Sequence, residues 1–399
     1  MNLKGSIKKI ISKGIKKIYK LIYKYIPIDN KTIIFIAYHG RGYLCNPKYL
    51  HKYLSNNENY KDYKFIWAIK KNENANIENA KVVKYNGILY FYYLARSKYW
   101  IVNCKLPEHI LKKESQVYIQ TWHGTPLKRL AHDIHINKDA TFYRTKISRE
   151  EMTNSYDNDV KKYNYLISPN RFSTKCFKSA FKIDENKIIE TGYPRNDYLT
   201  NISKDEISKL KLKYNIPKDK KVILYAPTWR DNNFNNKGYI FELKANFKLW
   251  KEKLGHEYVV LFKPHYLIIS NYDSLDLEGF IYKVKENEDI NELYVISDML
   301  ITDYSSVFFD YAILKRPILF YMYDLQEYKE EVRGFYLDIN KDLPGKIFED
   351  EDMLLKEIKN IEKYKQSNLN RLDEFNKKYN YLQDGFATEK VIRRVFLKN

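Results

Sequence analysis

The chain has 399 residues, 44% of them hydrophobic and 30% charged, with a formal net charge of +20. That length suits two similar domains, and the composition is that of globular material, which excludes a disordered or fibrous chain. The positive excess leaves nucleic acid, an anionic membrane or a phosphorylated substrate as partner, and the scattered Cys45, Cys104 and Cys176, without CxxC or metal-ligand spacing, argue against a disulfide framework.

Residues 1–26 hold eight Lys and no acid, so eight of the twenty excess charges lie there. Leu3, Ile7, Ile10, Ile11, Ile18, Leu21, Ile22 and Tyr25 recur at helical spacing, with Lys8, Lys9, Lys13, Lys16, Lys17, Lys20 and Lys24 mostly on the other face. Pro27 ends the pattern. The segment predicts a basic amphipathic helix over residues 1–27 that lies on an anionic membrane surface. The plainer reading is a basic helix packed on the domain, and Gly5 and Gly14 weaken the helix. No run approaches the roughly 18 apolar residues of a membrane span, and Lys interrupts any signal-peptide core.

After Pro27, strands and helices alternate. TIIFIAY, YKFIWAIK, KVVKY, YWIVN, VYIQTWHG, YNYLISPN and KIIETGYPRND read as strands running into loops, with helices at KYLHKYLSNN and ILYFYYLARS. The pattern restarts after a charged hinge at Lys218–Lys221, with strands at VILY, EYVVLF, FIYKV, MLIT and PILFYM. Residues 350–399 read mainly as charged helix. Short apolar runs alternating with helices indicate parallel sheets with crossover helices. The expected fold is therefore α/β and GT-B-like, two doubly wound parallel-sheet domains facing across a cleft. Its expected divisions are 1–27, 28–205, 206–372 and a helical segment 373–399. Ligands in such sheets bind beyond the C-terminal strand ends, and the polar motifs fall there: WHG, GYPRND, APTWR, KPH and TDYSS each follow an apolar strand. GxGxxG and GxxxxGK[ST] are absent from the sequence, which removes the support for a dinucleotide fold or a P-loop.

Each motif has a chemical and a structural reading. His123, before the Gly124-Thr125-Pro126 bend, can accept a proton near neutral pH or simply brace the turn. Lys128 and Arg129, placed just inside an expected helix, suit a phosphate or open solvent. Lys263-Pro264-His265 sets a cation beside an imidazole that could donate to a leaving phosphate. Thr302-Asp303-Tyr304-Ser305-Ser306 precedes a helix, so its serines can cap that helix or help bind an anion, while Asp303 can orient a neighbour. Arg195, Arg230 and the Arg333-Gly334 pair are further candidate substrate contacts, with surface ion pairs as the alternative for the latter two.

In order, FIAYHGRGYLCNPKYL, ARSKYWIVN, TWHGTPLK, ISPNRFS, TGYPRNDYL, ILYAPTWR, FKPH, ITDYSSVFFDYAILKRPILFY and YDLQEYKEEVRGFYLD resemble the CDP-glycerol glycerophosphotransferase family, the teichoic-acid primases and polymerases with related capsule polymerases. The resemblance implies a peripheral enzyme on the cytoplasmic face of the membrane. It would move glycerol phosphate or ribitol phosphate from CDP-glycerol or CDP-ribitol to a hydroxyl of a lipid-linked saccharide or polyol-phosphate acceptor, releasing CMP. It places the proposed base at His123, an essential histidine near the donor diphosphate at His265, and donor-phosphate contacts at Ser305, Ser306 and Arg333, with Lys263 and Thr302 as weaker transfers. The first domain then takes the acceptor and the second the donor nucleotide.

Cys45 stands where many members have Asp before Asn-Pro, which bears on acceptor contacts. The length, about a catalytic core plus a basic leader, favours a primase or capsule-type enzyme over a long-chain polymerase. No metal-ligand cluster is legible, and a Mg2+ carried by the donor is compatible with the pattern. A GT-B sugar transferase using a nucleotide sugar is the main rival. A basic, Tyr-rich nucleic-acid binder is the other, but the charge is concentrated in the leader and neither an RNP nor a zinc motif occurs, so no nucleic-acid partner is expected.

Overall fold

Seven parallel strands build the first sheet: β1 (Asp29–Ile36), β2 (Lys64–Ile69), β3 (Ala80–Lys84), β4 (Ser97–Val102), β5 (Val117–Gln120), β6 (Tyr165–Ser168) and β7 (Ile188–Glu190). Their order is β3-β2-β1-β4-β5-β6-β7. The structure is a computed structural model, and it describes residues 14, 16–70, 76–134, 148–228, 234–235, 238–240, 244–263, 268–269, 277–285, 287–326 and 334–397.

In the second half of the chain the strands are β8 (Lys221–Ala226), β9 (Phe234–Asn235), β10 (Gly238–Ile240), β11 (Tyr258–Phe262), β12 (Ile268–Ile269), β13 (Ile281–Lys283), β14 (Met299–Thr302), β15 (Ile318–Tyr321) and β16 (Lys346–Phe348). Six of them form a second parallel sheet in the order β13-β11-β8-β14-β15-β16. β9, β10 and β12 make a small separate sheet. Those three short strands and β16 were not expected from the sequence.

Both sheets are doubly wound. Strand order reverses between β1 and β4 in the first and between β8 and β14 in the second, and such a switch point opens a crevice at the carboxyl ends of the strands. The inner strands read as apolar runs because both faces are covered, whereas the edge strands β3, β13 and β16 are partly exposed. Successive residues alternate between two cores: Ile34 and Ile36 join the cluster of Leu94 and Phe177, while Ile33 and Phe35 join that of Leu50 and Leu54. In the second sheet Val222 and Leu224 face Phe308 and Phe309, and Ile223 and Tyr225 face Phe247 and Trp250.

The last helices bind the halves together. Helix Ile361–Tyr379, which runs across the expected division at residue 373, buries Leu372, Phe375 and Tyr379 against the second sheet. Helix Ala387–Phe396 then returns to the first, where Val391, Ile392 and Val395 pack with Ile33 and Phe35. Asp197 receives the backbone N–H groups of Ala387 and Thr388 at 2.9 and 2.7 Å, a favourable position for an anion at a helix N-terminus. The expected division at 205/206 falls at the start of helix Lys204–Lys213.

Of the leader, residues 1–13 and 15 lie outside the described residues, and residues 16–22 are helical. Tyr19 is buried and donates its hydroxyl to the Leu111 carbonyl at 2.7 Å. Ile18, Leu21, Ile22 and Tyr25 remain exposed. Among the described residues no helix is long and apolar enough to cross a membrane.

Acid should loosen this fold. Burial, with basic neighbours in some cases, pushes His39, His51, His109 and His123 each down to about 4. The unfolded chain therefore takes up these protons first, near the ordinary histidine value of about 6.5. Their contribution to stability is complete above that value and is lost as pH falls towards 4. Asp159, raised by burial to about 6, and Asp197, also raised by burial, act in the opposite sense but are outnumbered by the four histidines. The urea midpoint should drop between pH 7.5 and pH 5; an equal or higher midpoint at pH 5 would contradict these assignments.

Candidate active site

Between the two switch points lies a cavity of about 480 Å3. From the first sheet its wall takes Tyr38, Arg41 and Cys45 after β1, His123 after β5 and Arg195 after β7. From the second it takes Ala226, Pro227 and Thr228 at the end of β8, Lys263 after β11, Val284 after β13, and Ser305 and Ser306 after β14. Every one comes from a strand's carboxyl end, as the parallel topology requires.

His123 is held on three sides. Its ring stacks on Trp122 at 4.7 Å between centroids and meets Tyr38 edge-on at 5.7 Å. Nδ1 lies 2.7 Å from the Asn103 carbonyl. A carbonyl only accepts, so Nδ1 carries the proton and Nε2 keeps its lone pair. Burial, aided by the Arg195 charge and opposed by the Asn103 carbonyl, pushes the imidazole down to about 4, which keeps it neutral at physiological pH. Cys104 Sγ is 3.9 Å from Nδ1.

The bend after His123 brings the two halves into close contact. A Cβ built on Gly124 would lie 3.0 Å from Ser306 Oγ, so a side chain here would press on that hydroxyl and make it shift. The Gly124 carbonyl accepts from the Tyr193 hydroxyl at 2.9 Å, and Thr125 is buried behind it. Lys128 and Arg129 are not in a helix, contrary to the sequence expectation. The segment is extended: Lys128 forms an antiparallel bridge with Phe335, Arg129 N donates to Gly334 O at 2.9 Å, and Tyr336 N donates to Leu127 O at 2.9 Å. The Arg129 guanidinium lies over the Tyr336 ring. Pro126 and this distant pairing set an extended backbone where local pattern suggested a helix start. The same pairing lays Gly334 and Phe335 alongside the segment that follows the His123 bend.

Arg195 joins the halves. It donates to the His123 carbonyl at 2.8 Å, to Cys45 Sγ at 3.0 Å and to Asp310 Oδ2 in a buried ion pair. Asn196 Nδ2 reaches the other Asp310 oxygen at 2.9 Å, and Asn291 Nδ2 donates to Arg195 O at 2.8 Å. Nearby, Lys48 Nζ lies 2.6 Å from Asp289 Oδ2 and 3.3 Å from Glu292 Oε1, and Tyr49 donates to Asp289 at 2.9 Å. The Cys45 position thus serves Arg195 as a thiol acceptor.

On the second sheet, Ser305 Oγ accepts weakly from Val307 N at 3.4 Å, leaving its O–H to donate. Ser306 is the N-cap residue of helix Val307–Tyr311 but its side chain makes no cap bond. Thr302 Oγ1 is turned to the Ala226 carbonyl at 2.8 Å, and Asp303 Oδ1 accepts from Thr228 N and Oγ1 at 2.9 and 2.8 Å. These two residues pin β14 to the end of β8, the orienting role foreseen for Asp303. Lys263 Nζ reaches Lys285 O at 2.5 Å from the cavity wall. His265, Arg230 and Arg333 lie outside the described residues. Among the described residues no group of three or more His, Cys, Asp or Glu is placed to hold a metal ion. Sequence reasoning missed Arg41, Asn103, Asp289 and Asp310, of which only Arg41 sat in a quoted Gly-flanked loop.

Two parallel doubly wound sheets, presenting an imidazole from one side and hydroxyls with a lysine from the other, define a GT-B-like transferase architecture. The chain belongs to the CDP-glycerol:poly(glycerophosphate) glycerophosphotransferase family, whose family model matches residues 18–397. It is 40% identical over 412 residues to the teichoic acid poly(glycerol phosphate) polymerase of Bacillus subtilis strain 168, covering 99% of this chain and 54% of that one. This chain therefore spans about half the length of that polymerase. It is 38% identical over 400 residues to the teichoic acid glycerol-phosphate transferase of Staphylococcus aureus NCTC 8325, covering 99% and 100% of the two chains. With the teichoic acid poly(ribitol-phosphate) polymerase of Bacillus spizizenii W23 the identity is 28% over 379 residues, covering 94% and 57%. A variant of the wall teichoic acid polymerase TagF soaked with CDPG superposes with a TM-score of 0.90 at 38% identity, over 98% of this chain and 95% of that one.

Proposed function

We propose that this protein transfers glycerol phosphate from CDP-glycerol to a hydroxyl of a lipid-linked polyol-phosphate or saccharide acceptor, releasing CMP, in the synthesis of a teichoic acid or related polymer. The observation that carries the reading is His123, whose protonated Nδ1 is fixed by the Asn103 carbonyl at 2.7 Å while the ring lines a cavity walled on the far side by Ser305, Ser306 and Lys263. Glycerol is favoured over ribitol as the donor's polyol because the glycerol-phosphate relatives are the more similar. Residues 28–205 supply the acceptor side and residues 206–372 the donor side.

In this reading the acceptor hydroxyl attacks the donor's β-phosphorus. A new P–O bond forms, the bridging P–O bond breaks, and CMP leaves with the bridging oxygen. The hydroxyl proton passes to His123 Nε2. Charge grows on the phosphoryl oxygens, so positioning and a preorganised positive field do most of the work. Ser305, Ser306 and Lys263 supply donors from the described wall, with His265 and Arg333 assigned to the same donor group from the motif match. A Mg2+ bound to the diphosphate would add to this field.

The donor test is incubation of the purified protein with CDP-glycerol, CDP-ribitol and UDP-sugars in parallel. CMP release from CDP-glycerol is expected; turnover of CDP-ribitol alone would transfer the reading to the ribitol branch.

The exposed Ile18, Leu21, Ile22 and Tyr25, beside Lys17, Lys20 and Lys24, support seating of the leader on an anionic membrane surface. Ile18→Asp with Leu21→Asp leaves buried Tyr19 in place and should weaken binding to phosphatidylglycerol vesicles by about tenfold or more. Unchanged binding would remove the membrane role.

A further inference from the structure

Arg41 shares the cavity wall with His123, and the transfer chemistry above does not use it. It lies in a loop whose backbone is forced: Tyr38, His39, Gly40 and Gly42 have φ of 46°, 56°, 84° and 156°. Left-handed backbone at non-glycine residues is costly, and it persists where neighbours over-determine it. Here Tyr38 N donates to Asn103 Oδ1 at 2.7 Å, and Lys70 N donates to Gly40 O at 2.6 Å. A Cβ on Gly40 would come within 2.8 Å of Tyr85.

The loop therefore gathers the carboxyl ends of β1, β2 and β4, and each of those ends carries a cation: Arg41 after β1, Lys70 after β2 and Lys105 after β4. His39 stands among them. After burial, the influences that hold its imidazole down come from Lys70, Arg41, His123 and Lys105, all basic. Lys105 rests over the Tyr156 ring with Nζ 2.8 Å from Ser155 Oγ. The carboxylate that acts on Lys105, Asp159, is buried and already accepts from the Tyr118 and Tyr163 hydroxyls and Leu106 N. Arg41 on the cavity wall, with Lys70 and Lys105 at the two neighbouring strand ends and all three acting on His39, fits an anionic group on the incoming acceptor.

We propose that Arg41, Lys70 and Lys105 form a phosphate subsite that grips the acceptor's phosphodiester nearest the attacking hydroxyl and so presents that hydroxyl to His123. The inference rests on the glycerophosphotransferase reading and adds to it a recognition element for acceptors that already carry a phosphate.

The test is steady-state kinetics with CDP-glycerol and two synthetic acceptors on the same lipid tail. One ends in glycerol phosphate; in the other that phosphate is masked as its methyl ester. The wild type should show a KM at least about tenfold lower for the charged acceptor, the scale of a charge-assisted contact. Arg41→Gln and Lys105→Gln should each raise that KM by about tenfold and leave the masked acceptor and CDP-glycerol unaffected. The unchanged donor KM also shows that each variant is folded, and the two residues sit on different loops, so either variant alone suffices. Equal KM for the two acceptors in the wild type would overturn the subsite. So would variants that raise the KM of CDP-glycerol, because the cations would then belong to the donor. A wild type that releases no CMP from CDP-glycerol would instead remove the functional reading, and the subsite with it.

Discussion

His123→Ala should lower kcat by about 10²–10⁴-fold, the range of a lost general base, while CDP-glycerol binding stays within a few-fold of wild type. The ring is positioned by Trp122, Tyr38 and the Asn103 carbonyl, so Nε2 is the atom left to take the proton. Removing it leaves Lys263, Ser305 and Ser306 untouched on the opposite wall, which is why binding and catalysis should separate. The same burial that drives the imidazole down to about 4 sets the pH profile. Base function is lost only on protonation, so the acid limb of kcat/KM should fall well below the ordinary histidine value of about 6.5. Wild-type turnover by His123→Ala, or an acid limb at 6.5, would refute the assignment.

Asp310→Asn should cost about 3–5 kcal/mol of stability, because it leaves the buried Arg195 guanidinium without its counter-charge. Both side chains are about 5% exposed, so water cannot make up the loss. Replacing both partners with apolar residues of similar size, Arg195→Met with Asp310→Leu, should cost clearly less than the sum of the two single changes, since no charge is stranded. Urea denaturation of the wild type, Arg195→Met, Asp310→Leu and the double variant measures this coupling. Additive losses would mean that the pair is not a unit. Because Arg195 also holds the His123 carbonyl, Asp310→Asn should lower kcat as well.

The strands of the two large sheets, β16 apart, were legible because parallel strands inside a covered sheet are buried on both faces and read as apolar runs. Their motifs were legible for the same reason: a polar cluster directly after such a run is a strand's carboxyl end. His123, Lys263, Ser305, Ser306 and Arg195 all reach the cavity in this way. Contacts between the halves were not legible. Nothing local in LKRL reveals that Lys128 pairs with Phe335, some two hundred residues away, and a Pro followed by Lys-Arg resembles a helix start. Asp310 looked like an ordinary residue of a short helix until Arg195 appeared beside it. The hydrogen bonds of Thr302 and Asp303 to Ala226 and Thr228 were not legible either, because they join strands that lie apart in sequence. β9, β10 and β12 span only two or three residues each, too few to show a period.

Mass analysis of a defined glycerol-phosphate-terminated lipid acceptor after reaction with CDP-glycerol tests the central claim most directly. The acceptor should gain whole glycerol-phosphate units, with one CMP released for each. An unmodified acceptor in the presence of CDP-glycerol, together with sugar addition from a nucleotide sugar, would contradict it.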